Sequence, residues 1–459
     1  MSRPLVFGPT YAELRDPQLL DPKLRARARA ARDAAPLAEE NLFNIGWRDP
    51  TGRIPHRVLP PALTGVSAPI VVVSGRRFPS GSHKVGPAYC ILMEKQLEGQ
   101  AVPGVHTLVC PSTGNYGIGG AWVGGRMGYR TLTVVTEGVE AQRYEKIRAY
   151  GGDVEIAPGT GSDLKPLLDR VRVLAADPRN VVLEQYSEFG NYRFHYAVTG
   201  NTIAELVQDL GAHGIGDGTV RAFVAAVGSG GTLAAADRLR QRFPGLVTVA
   251  LEPLQCPTLY NLGFGSHQID GVGHRHVSWI HNVCAMDYLL CVDDLECLLG
   301  LQLVQEGTDA LIAEGVPEIE ARGFGNFFGV SGVCNVLGAI RTARLLGCGP
   351  RDTVVTVATD GFDRYQSVLM KLTRERGPMD WDEARRRLEL FRGAPVGRVL
   401  EGTPAVRERW LNQKYLTWVE QRGRSEDDLR AQAHEDFWLR EQARVAEFER
   451  RQRELRTAA

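Results

Sequence analysis

The sequence predicts a parallel α/β fold of more than one domain, on three observations. The chain has 459 residues, against a usual domain size of about 150. Between about 56 and 378, short β-branched runs alternate with amphipathic stretches, the pattern of parallel strands buried between helices. Glycines, 51 in all, gather in turns at 114–120, 228–231 and 271–273, among those runs.

Taken in order, residues 1–48 are polar and rich in Arg and Ala. A helix is expected over Pro22–Ala38, with Asp21 as N-cap and proline at the first helical position. Strands are expected at Ile70–Val73, His106–Cys110, Thr131–Val135, Val154–Ile156, Val181–Leu183, Phe223–Val227, Val247–Leu251 and Val354–Ala358. Beyond Pro378 the glycines thin out and Arg, Glu, Leu and Trp dominate. That tail reads as helices, ending in a charged one over Glu426–Arg456. Trp410, Trp418 and Trp438 mark a docking stripe, so the tail is expected to serve assembly or to cover the cleft between domains.

Composition narrows the function. Lys+Arg 54 balances Asp+Glu 54, against a nucleic-acid binder that neutralises phosphates. No apolar run reaches bilayer length, and the start lacks a signal-peptide core, so a cytoplasmic protein without a membrane partner is expected. The eight cysteines form no C-x-x-C pair and read as reduced thiols. His274-Arg-His276 is the best metal-ligand fragment, but no second ligand pair stands at a suitable spacing, and no metal is expected.

Four elements abut strand ends, where open α/β sheets bind ligands. Ser80-Gly-Ser-His-Lys84 leads into a helix-like stretch. A lysine at a helix start is electrostatically disfavoured as a cation, and burial adds to this, so its amine gains nucleophilicity. Of the lysines at 23, 84, 95, 146, 165, 371 and 414, only Lys84 lies among small residues beside a strand. Pro111-Ser-Thr-Gly-Asn-Tyr-Gly117 offers hydroxyls, an amide and backbone N–H groups, a nest for a carboxylate. Gly228-Ser-Gly-Gly-Thr232 precedes a helix and suits one phosphate monoester. It has neither G-x-G-x-x-G spacing nor a Gly-Lys-Ser/Thr ending, so neither a dinucleotide nor a nucleoside triphosphate is indicated. Ala358-Thr-Asp-Gly361 closes the last strand. A lysine, a carboxylate nest and a phosphate cradle together suggest pyridoxal 5'-phosphate and an amino-acid substrate.

With these motifs the chain resembles the fold-type II pyridoxal-phosphate enzymes, which include cysteine synthase, cystathionine β-synthase, threonine dehydratase and the tryptophan synthase β subunit. The resemblance covers about residues 56–370, with the motifs in the family's order. Ser82-His83-Lys84 resembles the Schiff-base lysine motif, in its His-Lys pair closest to tryptophan synthase β. Ser112-Thr113-Gly114-Asn115-Tyr116-Gly117 resembles the asparagine loop, and Gln185-Tyr186 the family's Gln-Phe. Gly228, Ser229, Gly230, Gly231 and Thr232 match the phosphate loop. His267-Gln-Ile-Asp-Gly-Val-Gly273, with Gly271, and Asp363-Arg-Tyr365 are similar to later family motifs.

The resemblance implies Lys84 as the Schiff-base lysine and catalytic base. It implies cofactor contacts from His83, Asn115 and 228–232, and substrate contacts from Ser112, Thr113, Gly114, Tyr116, Gln185 and Gly271. For the pyridine nitrogen, Thr359 and Asp360 stay open. Arg275 and His276, just after Gly273, either face the entrance or are ordinary loop residues.

The implied fold is two α/β domains, tryptophan synthase β-like. A large cofactor domain takes 49–77 and 189–378, and a small domain takes 78–188. They are flanked by an N-terminal extension (1–48) and a helical C-terminal extension (379–459). The implied activity is β-replacement on an amino acid through an aminoacrylate, cysteine synthase-like, in a homodimer, with a second nucleophile as co-substrate. A β-elimination lyase of dehydratase type is the alternative, and a non-catalytic cofactor-binding scaffold a further one.

Overall fold

The computed structural model describes residues 4–112, 114–137, 141–158, 165–393 and 395–458. Eleven strands are defined among them: β1 (His56–Leu59), β2 (Ile70–Ser74), β3 (Thr107–Pro111), β4 (Arg130–Thr136), β5 (Asp153–Ala157), β6 (Asn180–Val182), β7 (Val220–Ala226), β8 (Val247–Pro253), β9 (Tyr288–Val292), β10 (Thr353–Ala358) and β11 (Val399–Glu401). They form a seven-stranded sheet, in the order β1-β2-β10-β7-β8-β9-β11, and a four-stranded sheet, β5-β4-β3-β6. The four-stranded sheet is wholly parallel, and the larger one is parallel except at its edges, where β1 and β11 run antiparallel.

Strand periodicity sorts the core. Val71 and Val73 of β2, Phe223 and Ala225 of β7, and Val355 and Val357 of β10 enter one apolar cluster. Their neighbours Ile70, Val72, Ala222, Val224 and Val354 enter a second, on the other face of the sheet. A sheet buried on both faces needs near-continuous apolar strands, and every residue of β2 and β10 is buried.

Three strands were not expected from the sequence. β1 and β11 are edge strands of four and three residues, too short for a periodic signal. β9 follows β8 through a long loop with only two short helical turns, Thr258–Asn261 and Val283–Ala285, so the strand–helix alternation lapses there. β11 also gives the C-terminal extension a strand besides its helices, paired to β9.

The expected first helix ends earlier than predicted, at Pro22–Ala34, and Asp21 caps it by accepting from the N–H groups of Lys23 and Leu24. The single helix expected over Glu426–Arg456 is two, Glu426–Ala431 and Glu435–Ala458. The break turns Gln432 inward, where its carbonyl accepts from Trp438 Nε1 at 3.0 Å. Trp410, Trp418 and Trp438 are all buried, against the body of the same chain.

Candidate active site

The C-terminal ends of β3, β7 and β10 and the loop after β2 surround one cleft of about 570 Å³. Lys84 lines it, at the N-cap of the buried helix Val85–Leu97. Gly119 of the neighbouring helix Asn115–Arg126 makes that placement possible. A Cβ there would come within 3.0–3.2 Å of the Lys84–Val85 backbone. No acceptor among the described residues holds the Lys84 ammonium, and burial pushes its pKa down to about 8. An amine that is both unpartnered and easily deprotonated suits addition to an aldehyde.

Opposite stands the loop 228–232, between β7 and the helix Ala234–Arg242. Gly230 has φ +74°, in the left-handed region, and a Cβ there would meet His281 at 2.5 Å. Ser229 Oγ accepts from Asn191 Nδ2 at 2.9 Å, which fixes the turn. The N–H groups of Ser229, Gly230 and Thr232 find no acceptor among the described residues. Orphaned donors at a helix start are what a phosphate satisfies.

The third wall is the loop after β3. Ser112, Gly114, Asn115 and Tyr116 line the cleft, and Thr113 lies outside the described residues. The Tyr116 hydroxyl is buried without a partner among the described residues. Asn115 starts its helix with its amide engaged: Nδ2 donates to Asp360 Oδ2 at 2.7 Å, and Oδ1 accepts from Arg364. Gln185, Gly271, Gly228 and Thr359 also line the cleft.

Three sequence-predicted residues lie off the cleft wall. His83 points the other way, with its ring 5.5 Å from Trp47 and 5.1 Å from His195; burial holds it neutral. Asp360 is buried behind Asn115 and accepts from Tyr365 Oη at 2.9 Å; burial pushes its pKa up. Gly231 packs against Asn191, where a Cβ would approach within 2.2 Å. Of the two candidates for the pyridine nitrogen, only Thr359 faces the cleft, and a third candidate joins it there, the hydroxyl of Ser331. Ser331 enters at the start of the buried helix Val330–Leu345. Its sequence signal was the small-residue run Gly329-Val-Ser-Gly332 opening a long apolar helix.

His274 also lines the cleft. Its Nε2 lies 3.4 Å from the Tyr186 hydroxyl, and its ring stacks on His276 at 6.0 Å. Burial holds both imidazoles neutral, with His276 lowered to about 4. His276 is enclosed by Tyr186 and Trp418, while Arg275 is exposed and lies over the Phe264 ring. Among the described residues no group of three His, Cys, Asp or Glu side chains is arranged to hold a metal. No helix among them is long and apolar enough to cross a membrane.

A group with an aldehyde and a phosphate therefore fits this cleft, with a free amine at one end and unpaired backbone donors at the other. Comparison with known proteins agrees. The family model described as "Pyridoxal-phosphate dependent enzyme" matches residues 69–360. The chain is 29% identical to the cysteine synthase of Staphylococcus aureus over 291 residues, 63% of this chain and 84% of that protein. It is 27% identical to a probable cysteine synthase of Bacillus subtilis over 291 residues, 63% of this chain and 85% of that one. Among solved structures, O-ureido-L-serine synthase superposes with a TM-score of 0.59 at 24% identity, covering 73% of this chain and 95% of that one. The cysteine synthase of Entamoeba histolytica superposes with a TM-score of 0.61 at 19% identity, covering 74% and 93%. The match spans well over half of the chain and takes in Lys84, the loop after β3 and the glycine cradle, so the chain belongs to the family of pyridoxal-phosphate dependent enzymes.

Proposed function

We propose that the protein catalyses β-replacement on an amino acid bearing a leaving group at Cβ, of the serine or O-acylserine type, with a second nucleophile as co-substrate. The observation that carries this is the convergence, in one cleft, of an unpartnered Lys84 amine, the loop after β3 and the glycine cradle. The similarity to cysteine synthases supports replacement over elimination.

The roles follow from the chemistry of each group. Lys84 Nζ would hold the cofactor aldehyde, and the N–H groups of 228–232 its phosphate. Thr359 or Ser331 would meet the ring nitrogen. When bound, pyridoxal phosphate supplies an electron sink for the substrate's Cα electrons. Ser112, the backbone of 113–116 and Gln185 bind the substrate carboxylate, with Tyr116 and Gly271 bordering the same space. Lys84 Nζ, facing the substrate's Cα, would take its proton as general base and return it. Asn115, anchored by Asp360 and Arg364, holds the start of its helix beside the ring site. His83 backs Lys84 from the protein side.

The same reading makes the chain a homodimer of the reducing cytoplasm. Its eight cysteines are all unpaired, as that compartment requires. The lobes divide as 49–77 with 189–378, and 78–188.

The test is product analysis of the holoenzyme with O-acetylserine, with and without a thiol. A thioether amino acid formed only with the thiol is the expected result. A keto acid as the sole product with every nucleophile would refute replacement.

A further inference from the structure

Residues beyond 360 lie outside the family match, yet one of them reaches the floor of the phosphate cradle. Lys414, between the helix Pro404–Asn412 and the turn Tyr415–Glu420, is completely buried. Its ammonium donates to the carbonyls of Trp279 and His281, at 2.9 and 2.6 Å, and to Gln432 Oε1 at 2.6 Å. All three acceptors are neutral oxygens, no carboxylate among the described residues pairs with this amine, and burial lowers its pKa to about 7. Trp418, four residues on, donates from Nε1 to the Val277 carbonyl at 2.7 Å. The C-terminal segment thus grips the stretch 277–282 at three carbonyls.

That stretch underlies the glycine cradle. His281 occupies the space beneath Gly230, where a Cβ would come within 2.5 Å of its ring. Ser278 Oγ donates to the Gly228 carbonyl at 3.4 Å. Asn282 Nδ2 donates to Asp237, on the helix that follows the cradle, at 3.0 Å. The shape of 228–232 is therefore set from below by 277–282, and 277–282 is held from behind by Lys414.

We propose that Lys414 is a positioning residue of the cofactor's phosphate site: through 277–282 it fixes the orphaned N–H groups of 228–232 for the phosphate. The C-terminal segment is on this view a working part of the cofactor site. Lys414 touches neither cofactor nor substrate.

The test compares two variants of the full chain, K414M and W410F. Trp410 lies on the same tail but donates to the Leu259 carbonyl and makes no hydrogen bond to 277–282 among the described residues. Each protein is stripped of cofactor and titrated with pyridoxal phosphate and, separately, with pyridoxal. The bound phosphate is followed by phosphorus NMR, and Tm is measured. Hydrogen bonds from a charged donor of this kind set the scale at about tenfold or more in affinity. K414M is expected to weaken pyridoxal phosphate by that factor, move its phosphorus resonance toward the free value and leave pyridoxal capture unchanged. W410F is expected to lower Tm while keeping both affinities within about twofold, since its lost bond lies elsewhere. Equal weakening of both ligands in K414M, or parallel weakening in both variants, would reduce Lys414 to general support and overturn the proposal. Should K414M fail to fold, K414Q replaces it, with a shorter side chain and two donors for three acceptors; wild-type pyridoxal phosphate affinity and phosphorus resonance in that variant overturn the proposal equally.

Discussion

The cleft within residues 69–360 and the contacts of the flanking segments differ in how their polar groups are partnered. Around the cleft, the Lys84 amine, N–H groups of the glycine cradle and the Tyr116 hydroxyl have no partner among the described residues. Where the flanks dock, a set of buried polar groups pairs across long sequence distances. Tyr11 donates to Glu94 at 2.6 Å, Glu94 pairs with Arg193, and Arg193 pairs with Glu441. Tyr89 donates to the Pro9 carbonyl, and Gln452 to that of Gly8. Trp47 donates to Thr199 at 2.9 Å and packs on His83, directly behind Lys84. The N- and C-terminal segments therefore meet on the back of the helix that carries Lys84. In the cleft the unpaired groups face the space a ligand takes, and the pairs behind Lys84 hold that surface still.

This contrast predicts separable defects. Lys84→Ala strikes the unpaired set and should lower turnover by about 10²–10⁴-fold or more, the range for losing a general base, while thermal unfolding changes little. Comparable turnover in that variant would remove Lys84 from the chemistry. Glu94→Gln strikes the paired set. It leaves Arg193 with one carboxylate partner in place of two and should cost about 3 kcal/mol of folding stability, read from chemical denaturation, with the cofactor spectrum retained. Loss of the spectrum without loss of stability would erase the distinction between the two regions. Gln185→Ala removes one donor from the carboxylate site. It should weaken amino-acid binding by about 1.5–3 kcal/mol in a spectral titration and leave cofactor affinity intact. The smallest effect is in pH. Burial lowers the Lys84 pKa from 10.5 to about 8, so the reactive neutral amine grows in as pH rises through that value. The rate at which cofactor-free protein captures pyridoxal phosphate should climb between about pH 7 and 9 and level off above; a rise continuing toward pH 10.5 would mean an unshifted lysine.

The sequence made the body of this molecule legible because burial on both faces of a sheet forces apolar runs, and ligand loops at strand ends force glycine and small polar residues. The runs at β2 and β10 and the loops at 112–117 and 228–232 are of this kind. The flanks were opaque for the converse reason. Lys414 lies among other polar residues in the chain, and nothing local says that it is buried. Its carbonyl partners, Trp279 and His281, stand more than a hundred residues away. Ser331 escaped for a different reason: a serine at a helix start reads as an ordinary cap. Only the fold brings it to the cleft.

The central claim is that Lys84 is the amine that holds the cofactor. Borohydride reduction of the holoenzyme, followed by peptide mapping, tests it most directly. The account predicts a single pyridoxyl label, on the peptide containing Ser82-His83-Lys84. A label on any other lysine, Lys414 included, or no label on cofactor-replete protein, would contradict it.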